Sequence, residues 1–99
     1  MRYTVVVARA AEEQFRRLDA WWRSALKRAV REHLESDPTR ESKSRIKRLR
    51  GLRQPQYRLR VDEMRVFYDV NEAQNRVEVL GFVEKPRTAQ WLEERGVPE

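Results

Sequence analysis

The 99-residue chain contains no cysteine. Disulfides, thiol catalysis and cysteine-based zinc sites are excluded on that ground. A single histidine, His33, leaves neither a histidine metal cluster nor a His–His acid–base pair, so no metal site is expected. Glycine is scarce, with three in all, and no Gly-rich phosphate loop is present. No apolar run approaches the roughly 18 residues of a membrane span. The opening MRYTVVVARAAEEQ meets acidic residues too early for a signal-peptide core. Lysine is also sparse: Lys27, Lys43, Lys47 and Lys85 are the only four, so eighteen of the 22 basic residues are arginine. The expectation is one small, soluble, cytoplasmic domain over residues 1–99, with no membrane association and no small-molecule cofactor.

What is abundant is positive charge, +6 overall. Arginine grips phosphate with a planar fork, stacks on bases and stays ionised, which lysine does less well. The charge is also localised. Residues 40–65 hold ten basic residues against three acids, a net +7, while the other 73 residues sum to −1. A nearly neutral scaffold carrying one basic block points to a polyanionic partner. Ile46, Leu49, Leu52, Tyr57, Leu59 and Val61 are threaded through the block. Those apolar residues tie it to a core rather than leaving it as a solvated loop.

Residues 3–7 read as a strand, and Ala11, Phe15, Leu18 and Trp22 keep the spacing of one helical face. A second helix is expected over about 21–35, ended by Asp37-Pro38. An αα-hairpin fits a small domain better than one long helix, although Asp19-Ala20 is a weak breaker. A short strand at 46–49 is followed by three strands, 56–61, 64–70 and 76–83, and by a terminal helix at about 87–95. The fold class is α+β, with two N-terminal helices packed on a mostly antiparallel, twisted, four-stranded sheet.

Side chains alternate along strands. With Asp62-Glu63 as a two-residue turn, Tyr57, Leu59, Val61, Met64, Val66 and Tyr68 share a core face. The other face then carries Arg58, Arg60, Arg65, Phe67 and Asp69. Arg60 falls opposite Arg65, a repulsive pairing that calls for an anion. Asp69, a partner carboxylate or a phosphate are the candidates, and Phe67 is placed to stack a base. Removing Arg60 and Arg65 together is expected to relieve the repulsion. No nucleophile–base pair is present, and His33 reads as a half-buried packing residue. Chemistry must rest on arginine and lysine, which suit charge stabilisation and positioning rather than proton transfer.

The run Leu49-Arg50-Gly51, Tyr57-Arg58-Leu59-Arg60-Val61, Met64 to Val70 and Val77-Glu78-Val79-Leu80 resembles the RelE/ParE family of toxin–antitoxin toxins. The resemblance spans nearly the whole chain in order. It implies a microbial-RNase-like α+β fold, an antitoxin partner and a bacterial cytoplasmic setting. RelE-like activity implies a ribosome-dependent endoribonuclease that cuts mRNA and inhibits translation. Arg58, Arg60, Arg65 and Arg87, with Lys85, would then be catalytic. Lys43, Arg45, Lys47, Arg48, Arg50, Arg53 and Phe67 would bind RNA, with ribosome and mRNA as partners. Active nucleases of the family carry Tyr or His after the last strand, and here Glu84-Lys85-Pro86-Arg87 has neither. The alternatives are a ParE-like, non-enzymatic inhibitor of DNA gyrase and a non-toxic member that only binds its antitoxin.

Overall fold

The computed structural model describes residues 2–99. The β-branched segment Thr4–Val7 forms β1. Helix α1, Arg9–Arg16, and helix α2, Ala20–Ala29, follow as a hairpin. The break falls where Asp19 accepts the backbone N–H of Trp22 at 2.9 Å, so the weak breaker is an N-cap. The α2 stripe buries Ala25, Leu26 and Ala29 and continues as a π-helical turn, Val30–Leu34, that buries Leu34.

The remaining strands are β2 (Ile46–Arg48), β3 (Leu52–Gln54), β4 (Tyr57–Val61), β5 (Met64–Asn71) and β6 (Arg76–Glu84). A 3₁₀ turn, Lys85–Arg87, leads into α3, Thr88–Arg95, and then β7, Val97–Pro98. The main sheet has five strands in the order β1-β6-β5-β4-β2, not the four expected. The difference is the short β2, which pairs fully with β4 at one edge, while β1 forms the other edge, parallel to β6. The 50–56 connector is not a plain loop either. Its β3 pairs antiparallel with β7 in a separate two-stranded ribbon.

The β4–β5 register is the one the two-residue turn predicts, with Val61 opposite Met64, Arg60 opposite Arg65 and Tyr57 opposite Tyr68. Asp62 makes the turn with φ of 50°, a region Asp enters more readily than most residues. The core face carries Leu59, Val61, Met64, Val66 and Tyr68 against Ala11, Leu26 and Leu34 of the helices. Along β6 the parity changes. Phe67 faces Gly81 and Tyr68 faces Val79, which leaves Leu80 without a cross-strand partner. This bulge puts Val77, Val79 and Phe82 on the core face and turns Gly81 and Val83 to the opposite one.

Tyr68 is fully buried, stacks on Tyr57 at 5.5 Å and donates its hydroxyl to the Pro38 carbonyl at 2.6 Å. Burial raises its phenol pKa well above the ordinary 10. A raised folded-state pKa contributes stability below the unfolded value and loses it as pH climbs past that value. Stability is therefore expected to fall above about pH 10, and Tyr68→Phe to flatten that fall in denaturant titrations at several pH values. The same change strands the Pro38 carbonyl, a cost of about 1–3 kcal/mol at neutral pH.

Candidate functional site

The sheet face away from α1 and α2 is laid out in rows that run across the strands. Arg60 lies opposite Arg65 and donates its backbone N–H to the Arg45 carbonyl, and Arg65 lies opposite Val83. The first row is thus Arg45–Arg60–Arg65–Val83. In the next row Lys47 faces Arg58, Arg58 faces Phe67, and Phe67 faces Gly81. Adjacent rows are two residues apart, about 7 Å along the strands. Five basic residues thus line one face of β4, β5, β2 and the residue that leads into β2. Arg45, Lys47 and Arg60 are exposed, Arg58 is half-buried and Arg65 is 7% exposed.

The face has little internal counter-charge: Glu63, in the β4–β5 turn, acts on Arg65 without pairing with it. None of the ion pairs among the described residues involves these five. Asp69, one row further on, is occupied elsewhere: it accepts from Gln54 Nε2 at 2.7 Å and from the Gln56 backbone N–H at 2.8 Å. Arg58 and Arg65 are both held below the usual arginine range. Burial is the first cause for each. Arg65 and then Arg60 add to it at Arg58, and Arg60 adds to it at Arg65. The Nε of Arg58 is buried without a hydrogen-bond partner. A partly desolvated guanidinium with an unused donor, beside two like charges, is a cationic site arranged for an anion.

The other residues singled out from the sequence divide into groups. Arg65 is not a free hand. Its Nη1 donates to the carbonyls of Asp62 and Met64, at 2.8 and 3.0 Å, so it braces the β4–β5 turn. Removing it with Arg60 therefore takes away a brace as well as a repulsion. Phe67 is corrected outright: it is 1% exposed, and the Trp91 ring covers it in a stack at 4.8 Å, so no base can reach its face. Arg48 faces Tyr57, lies over its ring at 5.4 Å and donates to the Leu49 and Gln56 carbonyls, a structural engagement. Lys43 is exposed in the loop before β2, Arg50 in the turn at Gly51, and Arg53 on β3. Lys85 and Arg87 are exposed on the 3₁₀ turn at the end of the sheet, and the Lys85 backbone N–H donates to Glu63 O. Arg87 lines a cleft between α1 and α3 rather than standing in either row.

The sequence reading missed the part Trp91 plays. Its indole roofs Phe67 and fills the space left by the missing side chain of Gly81, so α3 walls one end of the second row. The signal was a lone glycine within a valine-rich strand, which marks a close approach.

No protein-family model matches the sequence, and no curated protein matches it significantly. Solved structures do match. The chain superposes on the archaeal RelE–RelB complex from Pyrococcus horikoshii OT3 with a TM-score of 0.71 at 24% identity, covering 88% of this chain and 99% of that one. The toxin–antitoxin complex RelBE2 from Mycobacterium tuberculosis gives a TM-score of 0.71 at 20% identity, over 85% and 99% of the two chains. The isolated RelE toxin of E. coli gives 0.68 at 24% identity, over 93% and 94%. The chain has the RelE fold.

Proposed function

We propose that this protein is the toxin of a toxin–antitoxin pair and acts as a RelE-like endoribonuclease on mRNA at the ribosome. The observation that carries this reading is the two-row basic face, with five cations and none of them ion-paired among the described residues. Arg58 and Arg60 bind the scissile phosphate and stabilise the charge that develops when the neighbouring 2′-hydroxyl attacks it. Arg45 and Lys47 hold the adjoining backbone, Arg65 keeps the turn in place, and Lys85 and Arg87 flank the end of the sheet. Arginine does not deprotonate in a protein, so this face supplies positioning and charge rather than a proton carrier. Several structural neighbours are toxin–antitoxin complexes, which supports an antitoxin partner here. An acidic antitoxin segment laid over the basic face would silence it in the cytoplasm.

One observation favours a second reading. Trp91 stands on α3, which follows β6, and neither Tyr nor His is found there, as befits a ParE-like inhibitor of gyrase that cuts nothing. Adding the purified protein to a translation extract and mapping transcripts by primer extension tests the first reading. Codon-aligned cuts that appear only with ribosomes are the expected result. Intact transcripts together with inhibited gyrase supercoiling would transfer the assignment to the second.

A further inference from the structure

Beyond the end of the first basic row lies a cleft of about 340 Å³ between α1 and α3. Its floor is apolar and buried, built from Met64, Phe82 and Val83. Its rim is polar but not basic: Arg17 and Arg87 are balanced by Glu84 and Glu94. Although these four line one cleft, none of them is ion-paired among the described residues. Gln14 is fixed in place, because its Oε1 accepts the Phe82 backbone N–H at 3.0 Å. Its Nε2 donates to no acceptor among the described residues, and the cleft is also lined by Gln90.

An apolar floor with a few convergent polar groups is the general form of a small-ligand site. A lining with no net charge does not select for phosphate. What matches it is a flat, neutral ligand rich in donors and acceptors. Amides, carboxylates and guanidinium groups are the side chains that read base edges, while aromatic surface takes the ring. The cleft adjoins the first basic row, because its floor residue Val83 pairs with Arg65, itself opposite Arg60. Two strand spacings, about 10 Å, separate Arg60 from Val83.

We infer that this cleft receives one unpaired nucleobase of the RNA whose backbone lies on Arg58 and Arg60, and that Gln14, Gln90 and Glu94 discriminate among bases. The inference rests on the RNA-binding reading of that face and adds a specificity site to it. The test is fluorescence anisotropy with four labelled RNA hexamers, each a homopolymer, at several salt concentrations. The wild-type protein is expected to prefer one homopolymer about ten-fold. Gln90→Leu with Glu94→Leu, both exposed and free of structural bonds, should cut the preference to under two-fold with the salt slope unchanged. Gln14→Glu, which keeps the acceptor for Phe82 and removes the amide donors, should do the same. Arg58→Ala with Arg60→Ala should weaken all four hexamers alike, lower the salt slope and keep the ranking. Equal binding of the four by the wild type, or a ranking that survives both cleft variants, overturns the inference and leaves the basic face standing. Absence of binding to any hexamer overturns both.

Discussion

Replacing Arg58 and Arg60 together by alanine is expected to abolish toxicity and transcript cleavage while leaving the fold intact and no less stable. Loss of one preorganised donor to a developing charge commonly lowers a rate by about 10²–10³, and two are lost here. Stability moves the other way. Arg60 stands opposite Arg65 and is exposed, so its removal relieves a like-charge cross-strand pair worth about 0.2–1 kcal/mol. Arg58 carries a buried Nε with no partner, and burial already disfavours its charged form. Arg65→Ala should behave in the opposite way: the Asp62 and Met64 carbonyls lose their donor, at about 1–3 kcal/mol. Urea unfolding of the two variants, read beside a growth-arrest assay, separates function from framework. A clear loss of stability in the Arg58/Arg60 variant would show that these side chains belong to the scaffold.

That contrast also marks where the sequence was informative. Alternation across a two-residue turn placed every β4 and β5 side chain on its proper face, because a pairing register flips all side chains at once and the apolar set admits one answer. It placed the charge excess on the correct strands for the same reason. Alternation does not say how far a side chain extends, or what covers it. Arg65 and Phe67 lie on the expected face, yet one folds back onto turn carbonyls and the other is roofed by an indole 24 positions along the chain. Each strand of the main sheet was legible as a strand, but the parallel pairing of β1 with β6 was not, because a pairing across most of the chain leaves no signal in local patterning. Asp19, which reads in the sequence only as a weak breaker, is the N-cap of α2, where Asp before an apolar helical stripe satisfies an otherwise unpaired N–H.

Gly81→Leu is expected to detach α3 and to have the largest structural effect of any single change near the site. A Cβ at this position would lie 2.5 Å from Trp91 Cζ2 and 2.9 Å from Cε2, distances that real Cβ atoms do not tolerate. The indole cannot move into the sheet, because it is stacked on buried Phe67, so it can yield only by lifting away and breaking that stack. Helix α3 has eight residues and buries none of them fully, so it cannot persist without its docking contacts. The Trp91 stack and the β3–β7 ribbon are the contacts that hold it. Overpacking of this kind costs about 1–3 kcal/mol, and losing the stack adds to it. Near-UV circular dichroism should lose tryptophan signal, and Phe67 should become open to solvent. Arg87 would lose its place at the cleft, so activity should fall even where the β-sheet survives. Trp91→Ala removes the obstacle, so in the double variant Gly81→Leu should cost far less than it does alone, a coupling that a double-mutant cycle measures directly. Additive costs would mean that Gly81 is required by the strand itself and not by the indole above it.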